Sequence, residues 1–206
     1  SLLEKKFWSF FKKYKATSLS GVPYSFEILK KLRFFDMDLP YLKTITQAGG
    51  KLNNDLNLEF SEFSKKTGKR FFVMYGQTEA TARISYLPWS KAKDKIGSIG
   101  IPIYKGKMWL IDNKGKIINE NLKKGDLIYQ GKNVSLGYSD NYEDLSKGDM
   151  NRGILLTGDI AKQDRDGFFY IVGRKKRFLK IFGYRINLDE LEKYISNKGI
   201  ECACTG

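Results

Sequence analysis

The chain has 206 residues, of which 37 are lysine or arginine and 23 are acidic, giving a net charge of +14; it has no histidine, two cysteines and 41% hydrophobic residues. That length holds one ordinary domain, or one and a fraction, with a real core, and the missing imidazole excludes a Ser-His-Asp or Cys-His nucleophile and a His-ligated zinc. The basic excess is mostly lysine scattered along the chain, without arginine forks or aromatic platforms, so no nucleic-acid partner is expected.

Proton chemistry must therefore fall to carboxylates, lysines or tyrosines. No apolar run approaches the roughly 18 residues of a membrane span, and nothing at the start has the layout of a signal peptide. Cys202 and Cys204 are too few for a disulfide framework or a metal cage and read as small apolar residues on one face of a strand. A reducing, cytoplasmic setting is the expectation. Nothing in the sequence fixes an oligomeric state.

In chain order, Leu2 to Tyr14 reads as a helix whose Phe7, Phe10, Phe11 and Tyr14 share one face at three- and four-residue spacing. Pro23 opens a second helix carrying Phe26, Leu29 and Leu32, and both stripes read as core faces. Thr44 to Ala48 is a short β-prone run ending at Gly49-Gly50. A third helix carries Leu56, Phe60 and Phe63, with Gly68 placed to end it, and Phe71 to Tyr75 reads as a buried strand. This succession predicts an α/β unit over about residues 1–96.

From about Gly97 the texture changes to short β-prone runs between turns. Met108 to Asp112 and Lys116 to Ile118 flank Asn113-Lys114-Gly115, a hairpin signal; Leu127 to Gln130, Ile154 to Thr157 and Phe168 to Val172 follow, predicting a small antiparallel barrel or sheet over about 97–173. Beyond the basic run Arg174 to Arg177 come Phe178 to Phe182, then a helix from Leu188 to about Ser196 with Asn187 and Glu190 in a capping-box spacing. Ile200 to Thr205 reads as a final strand. The fold class is mixed α/β, with a further α+β piece over 174–206 that is too small to bury a core alone, so the chain is expected to be cut at both ends.

Phosphate-loop fingerprints fail: G-x-x-x-x-G-K-[ST] is absent, and Gly97-Ser98-Ile99-Gly100 lacks the third glycine of a dinucleotide fold. Three clusters could carry chemistry. Tyr75-Gly76-Gln77-Thr78-Glu79-Ala80 follows a buried strand, where an α/β sheet places its ligands; it could stack a purine, bond a phosphate and hold Mg²⁺, or be an ordinary strand-to-loop transition. In Thr157-Gly158-Asp159, a carboxylate at a strand end could accept ribose hydroxyls or close an Asx turn. Gly173 to Arg177, with Lys180, Gly183 and Arg185, is either a ligand-facing basic segment or a solvated turn.

Taken together, the order is more specific than its parts. A glycine pair, Y-G-Q-T-E, Gly97 to Pro102, Gly131 to Tyr138, Thr157-Gly158-Asp159 and Gly173-Arg174 to Ile186 resemble the adenylate-forming superfamily of acyl-CoA synthetases, peptide-synthetase adenylation domains and luciferases. The resemblance runs from about Gly21 to the last residue. It implies that the Tyr75 ring lies against adenine within a loop that includes Gly76 and Gln77. It implies further that Thr78 meets a phosphate or acyl oxygen, Glu79 helps hold Mg²⁺, Gly49 and Gly50 pass beside the adenine, and Asp159 binds the ribose hydroxyls. Arg174 would also contact the nucleotide, Lys176 would be the hinge between a large domain (1–173) and a small lid (174–206), and Lys180 with Gly183 would form a catalytic lid loop.

The implied cofactors and substrates are ATP or AMP, Mg²⁺, a carboxylic acid and the thiol of CoA or of a phosphopantetheine carrier protein. The activity so implied is acyl-adenylate formation followed by acyl transfer to the thiol. The superfamily's Ser/Thr/Gly-rich phosphate loop and its lid lysine fall outside the residues present, so this piece alone is not expected to complete a turnover. The alternative is a nucleotide-binding or protein-interaction module without catalysis. Gly21-Val22-Pro23-Tyr24 resembles the acyl-pocket wall, which leaves fatty, aromatic and amino acids all open.

Overall fold

The structure is a computed structural model that describes the backbone of residues 1–175, 178–181 and 184–204, and the side chains of 1–175, 188 and 191–204. Its first half alternates β1 (Ser18–Gly21), α2 (Pro23–Lys31), β2 (Thr44–Gln47), α3 (Asn54–Thr67) and β3 (Arg70–Tyr75), preceded by α1 (Lys5–Lys13). Strands β1, β2 and β3 pair in parallel, each joined to the next through a helix as parallel pairing requires. Pro23 stands in the first turn of α2, where its missing N–H is harmless. Asn53 caps α3 by accepting from the Asp55 N–H at 2.7 Å, and Gly68 ends it in the left-handed conformation at φ 70°.

The core lies between this sheet and its helices. Phe26 and Leu29 of α2, Leu56 and Phe60 of α3, and Leu19, Ile45, Phe71 and Val73 of the strands bury one continuous cluster. Phe26 and Phe60 meet edge-on at 4.8 Å between ring centroids, which adds directional preference to simple burial. Two short antiparallel strands, β4 (Ser85–Leu87) and β5 (Ile101–Pro102), complete the sheet in the order β1-β2-β3-β4-β5. Three and two residues long, they carry too little periodicity to be legible in sequence.

The first helix differs from its expected form. It is shorter than Leu2 to Tyr14, and its packed side is Phe7, Trp8 and Phe11, whereas Phe10 and Tyr14 are 45% and 70% exposed. At 100° per residue, Phe10 and Tyr14 fall on the flank of the stripe and Trp8 takes their place against Phe34.

The second half is a four-stranded antiparallel sheet of β6 (Lys107–Ile111), β7 (Gly125–Gln130), β8 (Ile154–Gln163) and β9 (Phe169–Arg174), paired in that order. The expected arm Lys116 to Ile118 forms only an isolated bridge, Ile111 to Ile117, because the Asp112 carboxylate takes the N–H groups of Lys114 and Lys116. Strand β8 does not stop at Thr157; it runs on to Gln163 through a bulge, so Asp159 sits inside a strand. Opposite β7, Asp126 pairs with Ile160 but Ile128 pairs with Leu156. Gly158 absorbs the extra residues at φ 73°.

Beyond β9, β10 (Phe178–Ile181) and β11 (Tyr184–Asn187) form an antiparallel hairpin leading into α4 (Leu188–Ser196). Residues Lys176, Arg177, Phe182 and Gly183 lie outside the described residues, as do the side chains of Asn187 and Glu190. Ile200 to Cys204 forms no strand; Cys202 is exposed and Cys204 half-buried. The Cys204 N–H instead donates to the Glu192 carboxylate at 2.7 Å. Among the described residues, no helix is long and apolar enough to cross a membrane.

One seam between the two sheets runs through Phe169. Ile99 N–H donates to the Phe169 carbonyl at 2.9 Å, Phe169 N–H donates to Gly100 at 3.1 Å, and the buried Ser98 hydroxyl donates to Phe169 at 2.8 Å. Beside it, the Lys95 ammonium lies 2.8 Å from Asp164 and 2.5 Å from Asp166, over the Phe168 ring. Burial alone would raise the Asp164 carboxyl. It is nonetheless held below the ordinary carboxylate range, by Lys95 and by the N–H groups of Phe168 and Asp166. A depressed folded value gives stability that is present above the unfolded carboxylate range and lost as pH falls through the folded value. Melting temperature is therefore expected to fall steeply on acidification below about pH 3.9, and Asp164→Asn should flatten that fall while lowering the neutral-pH value. An acid limb of unchanged slope in the variant would remove Asp164 as its source.

Candidate active-site cleft

The cleft lies where the C-terminal end of β3 meets β8 and β9. It is open, with a volume of about 460 Å³, and is lined by Gly76, Gln77, Thr78, Glu79, Thr157, Gly158 and Arg174. Residues from all three sequence clusters thus meet in one place.

After Tyr75 the chain makes a 3-10 turn over Thr78–Ala80, then places Thr81 and Ala82 both in the left-handed region, at φ 46° and 66°. Two consecutive non-glycine residues there are strained, so the surroundings must hold them. Locally, Ala82 N–H donates to Gln77 O at 3.0 Å and Ile84 N–H to Tyr75 O at 2.9 Å. The second sheet supplies the rest. The Asn133 amide donates to Ala80 O at 2.7 Å and Arg83 O at 2.8 Å, Tyr129 O–H donates to the Asn133 side chain at 2.7 Å, and Ser135 N–H donates to Glu79 O at 2.7 Å. The Tyr138 hydroxyl donates to Glu79 Oε1. That bond holds the Glu79 carboxyl below its ordinary value and pushes the Tyr138 hydroxyl up.

Behind the lining sits Asp159, 2% exposed. It accepts from Tyr75 O–H at 2.5 Å and Gln77 Nε2 at 3.0 Å on one oxygen, and from Arg174 Nε at 2.9 Å on the other. Its N–H donates to the Thr157 hydroxyl at 3.1 Å. The bulge at Gly158 aims this carboxylate inward, and cross-strand pairing of Asp159 with Arg174 puts the guanidinium beside it. The Tyr75 ring packs between the clusters built on Ala80, Ile84 and Tyr129 and on Leu110, Leu127 and Ala161. Burial first, and the Asp159 charge second, push its hydroxyl well above the ordinary tyrosine range.

Gly49 and Gly50 follow β2 and abut Val22 and Pro23, outside the residues lining the cleft; an added Cβ at either would meet those side chains at 3.1 Å. The Lys180 backbone pairs with Arg185 in the β10–β11 hairpin, while its side chain and the whole of Lys176 lie outside the described residues. Asn133, Tyr129 and Tyr138, which hold the loop, received no role in the sequence reading. Their signal was the Gly131 to Tyr138 motif, whose function depends on contacts across 50 residues or more.

The donor set favours a hard divalent cation shared with an anionic ligand. Among the described residues no group of three or more acidic or cysteine side chains could cage a metal. Among the described residues that line the cleft, Arg174 is paired with Asp159 and Glu79 is the one carboxylate. One carboxylate supplemented by phosphate oxygens suits Mg²⁺, which keeps much of its shell for water and substrate.

A family model described as AMP-binding enzyme matches residues 1–139. The luciferin 4-monooxygenase of Luciola mingrelica is 34% identical over 185 residues, covering 88% of this chain and 33% of the relative. The long-chain-fatty-acid–CoA ligase of Yersinia pestis is 30% identical over 197 residues, covering 94% of this chain and 34% of the relative. O-succinylbenzoate coenzyme A synthetase from Bacillus subtilis, solved in complex with ATP and magnesium ion, superposes with a TM-score of 0.75 over 97% of this chain and 40% of its own. At 24% identity that is a likeness of fold. The chain spans about a third of the length of the curated relatives it matches.

Proposed function

The chain belongs to the AMP-binding enzyme family, the adenylate-forming superfamily, and on that premise we propose that it carries the nucleotide-contacting part of an ATP-dependent carboxylate ligase. The observation that carries the reading is the convergence of the Gly76–Glu79 loop, the Thr157–Asp159 bulge and Arg174 on one cleft. In this reading residues 1–173 belong to the large domain and 174–206 open the lid, with Lys176 as the hinge.

A carboxylic acid substrate is already ionised near neutrality, so attack on the α-phosphorus needs no base; it needs orientation and charge stabilisation. The nucleophile's oxygen bonds to phosphorus as the bond to pyrophosphate breaks; the sulfur of CoA or a carrier, its proton lost to solvent, then bonds to the acyl carbon as the C–O bond to AMP breaks and AMP leaves. Mg²⁺, when bound, would neutralise phosphate charge. Glu79 would hold that ion, Thr78 would donate to a phosphate or acyl oxygen, and the buried Asp159 would accept from ribose hydroxyls, using lone pairs not taken by Tyr75, Gln77 and Arg174. The histidine-free sequence suits this chemistry.

The protein that carries this chain is expected to catalyse carboxylate-dependent exchange of label between pyrophosphate and ATP. Loss of a charge-stabilising contact costs about 10² to 10³ in rate, so Glu79→Gln should reduce exchange at least tenfold. No exchange with any of a fatty, aryl and amino acid panel, or full exchange in the variant, would defeat the reading.

A further inference from the structure

Tyr138 has no role in the sequence reading, and its geometry is specific. It stands in the segment after β7 that crosses from the second sheet to the cleft, and its hydroxyl donates to Oε1 of Glu79 although the residue is 78% exposed. Packing does not impose that contact on so exposed a ring. The same segment fixes the Glu79 backbone through Ser135 N–H and the neighbouring carbonyls through Asn133. Carboxylate and main chain are thus held by one piece of chain. Among the described residues no other side chain engages the carboxylate, whose one further interaction is with its own N–H, and Glu79 lines the cleft.

A carboxylate that is to bind a cation through one oxygen gains from a donor on the other, because rotation is already restricted before the ion arrives. We propose that Tyr138 is a positioning residue for Glu79, holding Oε1 so that Oε2 is left for a divalent cation entering with a nucleotide's phosphates. The inference rests on the nucleotide reading above. A purely structural Tyr138, pinning one loop on another, would alter ATP affinity equally with and without the cation.

Calorimetric titration of ATP, once with excess Mg²⁺ and once with a chelator, separates these cases for the wild-type protein, Tyr138→Phe and Glu79→Gln. Removing an outer-shell partner typically lowers metal affinity about 10- to 100-fold. The tightening of ATP by Mg²⁺ is therefore expected to shrink at least tenfold in Tyr138→Phe, with cation-free affinity and melting temperature near wild type, and Glu79→Gln should show at least the same loss. Full Mg²⁺ tightening in Tyr138→Phe, or an equal loss of affinity under both conditions, would overturn the positioning role while leaving the nucleotide reading standing. A wild-type protein that binds no ATP in either condition overturns that reading, and the role of Tyr138 with it.

Discussion

Asp159→Ala is expected to weaken nucleotide binding at least tenfold and to destabilise the protein by about 2–3 kcal/mol, the range for losing hydrogen bonds to a charged group. The two effects have separate causes. In the proposed reading, binding suffers because a charged acceptor for the ribose hydroxyls is gone. Stability suffers because the substitution leaves the half-buried Tyr75 hydroxyl without its acceptor and removes one of the Gln77 amide's acceptors, the Thr157 carbonyl at 2.8 Å remaining. Arg174 adds less than a buried cation would, since its side chain is 62% exposed and finds water.

The pH dependence adds a signature. The Tyr75 hydroxyl titrates above its unfolded value, so its contribution to stability is complete below the ordinary tyrosine range of about 10 and is lost as pH rises beyond it. Removing the Asp159 charge should soften that alkaline loss. Asp159→Asn separates the roles: it keeps the shape and part of the hydrogen bonding, so it should melt closer to wild type while still binding nucleotide weakly. Wild-type nucleotide affinity in both variants would show that Asp159 serves only to join β3 to β8.

How much of this was legible beforehand depended on whether the controlling forces were local. Pro23, Gly68 and the Leu56, Phe60, Phe63 spacing act within one or two turns, so α2 and α3 fell where the sequence placed them. The Tyr75–Glu79 loop was legible for the same reason, as a buried strand followed at once by glycine and polar groups. Strand β8 was not. Gly158 looks like a stop, because glycine more often ends a strand than bulges it, and only pairing with β7 on one side and β9 on the other keeps the strand going. Asp159 thus reads in the sequence as a strand end and lies inside a strand. Likewise Asn133 is an unremarkable polar residue until folding brings it beneath the Ala80 and Arg83 carbonyls.

Gly76→Ala should have the largest effect on the cleft for the smallest change in mass. A Cβ at Gly76 would lie 2.3 Å from Ala82 O, 2.7 Å from Ala82 C and 2.9 Å from Arg83 Cα. All three are backbone atoms, and none can rotate aside. The doubled-back loop is tied to itself by Ile84 N–H to Tyr75 O and Ala82 N–H to Gln77 O, and to the second sheet by Asn133, so space for a methyl group opens only if some of those bonds break. Overpacking of this kind costs typically about 1–3 kcal/mol. The displacement would fall on Thr78 and Glu79, where a shift of about 1 Å in a positioned group can cost roughly 10² in rate. Gly115→Ala is the control. Unlike Gly76 it lies in the left-handed region, at φ 79° in the turn after β6, and no atom lies within 4 Å of its would-be Cβ. It should lose about 1 kcal/mol from backbone strain and keep its pyrophosphate exchange. If Gly76→Ala also melts lower but exchanges normally, the loop tolerates displacement, and the closeness of Gly76 to Ala82 serves folding alone.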